Sequence, residues 1–166
     1  GERVIEERKR EREEDPKYLV LSNIPQQDLP ALYSRANILV IPSRGEGWGR
    51  PHVESMSCGT PIIATNWSGP TEYLSSSNSY PLPVRELVPA IGWKGHMWAD
   101  PDETHLRVLL RHTYTHPDEV REKGRQARKD MINKYSLPVV GKILQVEIDR
   151  IHKILNKREL IRDKDE

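Results

Sequence analysis

Apolar residues fall in short continuous runs through the first half of the chain and recur at helical spacing through the second half. Tyr18-Leu19-Val20-Leu21 precedes Ser22-Asn23-Ile24-Pro25 and reads as a buried strand running into a loop. Leu29, Leu32, Tyr33 and Ala36 share one helical face, with Asp28 as the cap, Pro30 in the first turn and an end near Asn37. Ile38-Leu39-Val40-Ile41 is continuous and largely β-branched, the pattern of a strand buried on both faces, and Pro42 stops it. A glycine-rich turn leads to Pro51, well placed as the first residue of a helix that runs to Cys58 and stops at Gly59. Pro61-Ile62-Ile63-Ala64-Thr65 reads as a further buried strand, and Thr71 as the cap of one turn through Leu74.

Residues 75–95 carry three prolines and read as a long loop, with Gly95–Ala99 as a short edge strand. Three helices complete the chain, over about 102–114, 117–134 and 137–157. The second has a stripe of Val120, Gly124, Ala127 and Met131; the third has Val140, Ile143, Leu144, Ile148, Ile151 and Leu155. Strands alternating with helices imply a parallel sheet with right-handed crossovers. Ligands in such sheets bind at the carboxyl ends of the strands. That places Ser22–Pro25, Ser43–Arg50 and Asn66–Gly69 along one rim.

Composition adjusts this picture at the ends. Residues 1–15 hold 12 charged side chains and residues 157–166 hold 8, out of 51 in the chain. The remaining 141 residues are ordinary in charge and able to build a core, and 166 residues make room for one domain. The reading divides the chain into a charged, solvated helix over 1–16 that Pro16 ends, a core over 17–135, and a C-terminal helix and tail over 136–166. Both tails mix signs and the net charge is +1, which argues against a nucleic-acid arm. No apolar run reaches the ~18 residues of a membrane span, and a cytoplasmic location is the default expectation. The single cysteine, Cys58, excludes an internal disulfide and a cysteine-rich metal site.

The chemistry is concentrated in SRGEGWGRPHVESMSCGTPII, residues 43–63. Glycines alternate at 45, 47 and 49, and a helix starts directly after them. Glycine lets a ligand approach main-chain N–H groups, and a helix N-terminus favours an anion. Neither the G-x-G-x-x-G fingerprint nor the Gly-Lys-Ser/Thr ending of a P-loop is met. Glu46 and Glu54 flank the turn with seven residues between them. A carboxylate repels phosphate but accepts hydrogen bonds from sugar hydroxyls. The pair therefore suits a ligand with both phosphate and polyol parts, such as a nucleotide-sugar. The plainer alternative is acid at a helix start, complementing the dipole.

The segment LYSRANILVIPSRGEGWGRPHVESMSCGTPIIATNWSGPTEYL, with its E-x(7)-E motif, resembles the C-terminal donor-binding domain of retaining family-4 glycosyltransferases (glycosyl transferase group 1). The likeness is close over about 17–74 and looser through Trp98–Asp102 and the helices beyond. It implies an α/β, Rossmann-like, three-layer domain with a short parallel sheet of about three to four strands and C-terminal helices, one half of a GT-B fold. It implies transfer of a sugar from a UDP-, GDP- or ADP-linked donor to an acceptor hydroxyl on a glycan, lipid or protein, with retention and without a metal. Glu46, the implied catalytic position, would sit beside the donor sugar as a positioning and electrostatic group. The backbone of Gly47, Trp48, Gly49 and Arg50 would face sugar hydroxyls and diphosphate, and Glu54 would bind ribose. Asn23 and Ile24 would lie against the base, and Ser43 ends the Pro-Ser pair before the turn.

In the family, the donor domain begins with two further strands, an Arg/Lys pair that contacts the diphosphate, and a separate acceptor domain; none has a counterpart in these 166 residues. The expectation is a donor domain missing its first two strands, working within a longer chain or with its acceptor domain supplied in trans. The alternative is a non-catalytic nucleotide-sugar-binding or scaffold domain. Arg50 stands where an apolar residue is common and can lend charge to the phosphates. Plain structural readings cover Cys58 (packing), His52 (core or surface), and His112 and His116 (surface). The roles of Trp93, Lys94 and Trp98 stay open, and the last helix is expected to leave an apolar strip exposed.

Overall fold

The computed structural model describes residues 18–162. The helix expected over 2–14 lies outside them. Three strands, β1 (Leu39–Ile41), β2 (Ile62–Thr65) and β3 (Tyr80–Leu82), form a parallel sheet in the order β1-β2-β3. Leu39 stands opposite Ile62, and Ile63 opposite Tyr80. Helix α1 (Leu29–Arg35) precedes β1, and α2 (Arg50–Ser57) is the crossover between β1 and β2. After β3 come an antiparallel hairpin, β4 (Val84–Pro89) and β5 (Met97–Pro101), and then α3 (Glu103–Thr115), α4 (Pro117–Asp130) and α5 (Leu137–Arg162). A π-helical turn, Met131–Tyr135, joins α4 to α5.

Strand alternation on β2 divides the interior into two layers. Ile62 and Ala64 face Met56 of α2, Tyr73, and Ala127 and Met131 at the end of α4. Ile63 faces the other way, with Tyr80, Leu82 and Val120, and Leu106 and Leu109 of α3 cover it. Met56, Ile62, Ile63 and Leu82 have no solvent exposure. Helices on both faces of a parallel sheet give the three-layer α/β arrangement expected from the sequence. The stripe expected on α4 is the face that enters the core: Val120, Gly124, Ala127 and Met131 are all buried.

Several elements depart from expectation. Tyr18–Leu21 is not a buried strand: Leu19 is 79% exposed and the run pairs with no strand among the described residues. An apolar run becomes a strand only where a neighbouring ladder takes up its backbone groups. β1 is half-buried rather than fully covered, because among the described residues it is an edge strand paired only with β2. Asp28 precedes α1, but its side chain caps nothing, and the helix ends at Arg35. The turn near Thr71 is a 3-10 turn, Gly69–Glu72, and the Thr71 hydroxyl donates back to the Ser68 carbonyl at 2.7 Å. The long loop expected over 75–95 holds β3 and β4. Pro81 fits because β3 is an edge strand, where a missing N–H is tolerated. The expected edge strand near 95–99 is β5, shifted two residues onward.

Helix α5 stands largely clear of the core. Ile143 is 61% exposed, and Leu144, Ile148, Ile151 and Leu155 are also exposed, so the expected apolar strip is present. No described helix is long and apolar enough to cross a membrane.

Candidate functional site

The carboxyl rim of the sheet holds the glycine turn. β1 ends at Ile41, and Pro42 to Gly49 lead into α2. Gly49 occupies the N-cap with φ +82°, a left-handed conformation that a side chain would strain. A Cβ there would also stand 2.4 Å from His52 Nδ1 and 2.8 Å from the Tyr73 hydroxyl oxygen. Among the described residues no side chain caps α2, so its N-terminus keeps anion-binding capacity.

The turn is held from below by the segment after β2. Gly69 N–H and the Ser68 hydroxyl both donate to the Glu46 carbonyl, each at 3.0 Å. Ser68 and Gly69 thus join the Ser43–Arg50 turn on one rim, as strand order predicts. On the far side, Ala99 N–H of β5 donates to the Arg44 carbonyl at 3.0 Å. The Tyr73 hydroxyl donates to the Trp48 carbonyl at 2.5 Å. The Trp48 ring packs edge-on against Tyr73 and Tyr135, with centroids 5.1 and 5.5 Å away. That indole serves packing, and its carbonyl already has a partner.

His52 is fully buried under the turn, and among the described residues neither ring nitrogen has a hydrogen-bond partner. Burial lowers its pKa, and the Glu46 carboxylate opposes that without reversing it. Burial, together with the Glu46 charge, also pushes the Tyr73 hydroxyl well above the usual phenol range. Glu46 is half-buried, so its carboxylate acts on both groups through a partly desolvated medium.

Glu54 lies one turn into α2. Its Oε1 accepts from Arg50 at 3.2 Å and its Oε2 from the Tyr33 hydroxyl of α1 at 3.3 Å. Burial, then the Glu54 charge, raises the Tyr33 pKa. Glu54 and Tyr33 border a cavity of about 300 Å³ between α1 and α2, with Gln26, Leu29, Val53 and Cys58. Asn23, in a left-handed conformation at φ 56°, and Ile24 lead into Gln26 at its edge, but neither lines it. Ser43 is half-buried and stays outside it too. A larger cavity, about 580 Å³, opens beside Ile38 and Pro61 at the amino ends of the strands, away from the glycine turn.

Residues 1–79 match the model of the family described as glycosyl transferases group 1. Over that segment the chain is similar to this family. The matched segment takes in α1, β1, the glycine turn, α2 and β2, so Glu46, Glu54, Tyr33, Ser68 and Tyr73 fall inside it, while the supporting contacts from Ala99 and Tyr135 lie beyond it. Among curated relatives, O-antigen chain mannosyltransferase B of Escherichia coli is 48% identical over 46 residues, 28% of this chain and 12% of that protein. D-inositol 3-phosphate glycosyltransferase of Salinispora arenicola is 43% identical over 42 residues, 25% of this chain and 9% of that protein. MMP alpha-(1->4)-mannosyltransferase of Mycolicibacterium hassiacum is 30% identical over 115 residues, 69% of this chain and 25% of that protein. The matched segment spans a quarter or less of each of these relatives.

Glu46 and Glu54 are the two acids of the E-x(7)-E motif, and Ser68 lies in the Asn66–Gly69 stretch expected on the rim, but Tyr33 and Tyr73 were not among the residues expected at the site. Tyr33 carries a visible signal, because it shares the apolar face of α1 with Leu29 and Leu32 yet has a hydroxyl to place. His112 and His116, the spaced pair, sit on the α3 side: His112 Nε2 lies 2.9 Å from Glu119 Oε2 and the two rings stack at 4.1 Å. Cys58 is half-buried beside the smaller cavity rather than enclosed in the core.

Proposed function

We propose that this chain is the nucleotide-sugar-binding part of a retaining glycosyltransferase. The observation that carries this reading is the position of Glu54: half-exposed, one turn into an uncapped helix, and beside a cavity of about 300 Å³. A ribose in that cavity would place its hydroxyls on the Glu54 carboxylate. The diphosphate would then meet the α2 N-terminus, the backbone of Gly47, Trp48 and Gly49, and the Arg50 guanidinium. Glu46 would stand beside the donor sugar, and Asn23, Ile24 and Ser43 would border the base side and the start of the turn. Holding negative charge on the departing diphosphate is the electrostatic contribution such a site makes to sugar transfer. The relatives named as mannosyltransferases make a GDP-linked mannose the first donor to try.

Calorimetric titration of the chain with GDP-mannose, UDP-glucose and ADP-glucose tests the reading. Saturable binding of one of them, weakened tenfold or more by Glu54→Ala, is the expected result. A folded chain that binds none of the three overturns it.

A further inference from the structure

The segment after β2 holds a backbone conformation that serine seldom adopts. Ser68 stands at φ 60°, ψ −144°. That region is open to glycine and strained for any residue with a Cβ. A glycine is next in the chain, yet Gly69 itself keeps its φ outside the positive range. The strain therefore falls on the residue that carries a hydroxyl. Ser68 is held there from one side by Thr71, whose N–H and hydroxyl both donate to the Ser68 carbonyl, at 3.0 and 2.7 Å. Between them Pro70, fully buried, fixes the course of the 3-10 turn.

On the other side this conformation brings two donors from consecutive residues, the Ser68 hydroxyl and the Gly69 N–H, onto one acceptor, the Glu46 carbonyl, each at 3.0 Å. Glu46 has few other restraints. Gly45 and Gly47 flank it, and a Cβ on either would meet nothing within 4 Å, so the chain gives this residue a free pivot on each side. Among the described residues its hydrogen bonds all run through its carbonyl. The place of the Glu46 side chain is therefore set through its backbone, and the backbone is set by the Ser68–Gly69 pair.

We infer that Ser68 is a positioning residue for Glu46: its strained backbone and its hydroxyl together fix where the Glu46 carboxylate stands. That this carboxylate meets a donor sugar rests on the donor-binding reading; the hold of Ser68 on Glu46 does not. Acting through Glu46, Ser68 bears on the sugar half of the donor and leaves the diphosphate half alone. Ser68→Gly is the informative variant, because glycine takes the same backbone without strain and only the hydroxyl is lost. Ser68→Ala loses the hydroxyl and keeps the strain. Calorimetry with whichever of GDP-mannose, UDP-glucose and ADP-glucose the wild-type chain binds, and with the matching sugar-free diphosphate, tests the inference. Both variants should bind the nucleotide-sugar roughly fivefold more weakly and the diphosphate as tightly as before. In a Glu46→Ala background, Ser68→Gly should weaken binding no further. Without any ligand, carbon relaxation of the Glu46 methylenes should show greater motion in Ser68→Gly than in the wild type. Unchanged nucleotide-sugar affinity, an equal loss for the bare diphosphate, or a full-sized loss in the Glu46→Ala background overturns the inference. If the wild-type chain binds none of the three donors, the donor reading falls by itself and the relaxation measurement decides: increased Glu46 motion keeps the positioning role, and unaltered motion overturns it.

Discussion

Gly69 lies against Gly47 so closely that a Cβ on residue 69 would stand 2.1 Å from the Gly47 carbonyl oxygen and 2.9 Å from that of Glu46. The segment after β2 therefore sets the height of the glycine turn. Gly69→Ala should push the turn off the rim and break the paired bonds to the Glu46 carbonyl. The expected loss of stability is about 2–4 kcal/mol. Urea unfolding of the variant checks it; an unchanged midpoint would show that the turn yields without cost.

Tyr73→Phe removes one hydroxyl from beneath the turn. The Trp48 carbonyl loses its donor, while the ring contacts with Trp48 and Tyr135 remain. A loss of about 1 kcal/mol is expected. Tyr73→Leu should cost more, since it also empties the aromatic cluster. Thermal melts of the two variants separate the hydrogen bond from the packing; an unchanged Tyr73→Phe melt would mean the hydroxyl contributes nothing, and equal losses that the ring packing adds nothing.

The buried His52 makes stability depend on pH. Its folded-state pKa is lowered by burial, so below about pH 6.5 the unfolded chain binds a proton that the folded chain refuses. Stability is therefore complete above that pH and falls as the pH drops below it. His52→Leu should flatten this part of the profile. Melting temperatures between about pH 7.5 and 5 read the difference; parallel profiles for the two proteins would remove His52 as the source.

The apolar strip of α5 should make the chain associate. Ile143, Leu144 and Ile151 are exposed on a helix that packs little against the core. Ile143→Glu with Leu144→Lys should lower any concentration-dependent association without lowering thermal stability. Sedimentation velocity over a range of concentrations is the measurement, and identical profiles for the two proteins would be the contrary result.

What the sequence made legible follows from range. β1, β2 and α2 lie within 27 consecutive residues, and the rule that buried runs are continuous suffices for them. Glu46 and Glu54 stand eight positions apart, so their place on either side of the glycine stretch is local too. Tyr33 reaches Glu54 across 21 positions, a pairing that only the folded chain reveals, whereas strand order already put Ser68 on the rim beside Glu46, 22 positions away. Tyr18–Leu21 misled because apolarity signals burial only where a neighbour exists to bury against. β3 and β4 stayed hidden because Pro81, Pro83 and Pro89 mask strands that tolerate proline at an open edge, whereas β5 was anticipated within two residues.

The Arg50–Glu54 pair has a consequence for how a ligand would be taken up. Each member pairs with the other at 3.2 Å. A nucleoside alone would engage the acid and leave the exposed guanidinium to water; pyrophosphate alone would engage the guanidinium and leave the acid to Tyr33 and water. Only a molecule carrying both groups in one covalent frame replaces the lost ion pair twice over. Fragments should therefore bind far more weakly than their sum, and the pair acts as a test of connectivity.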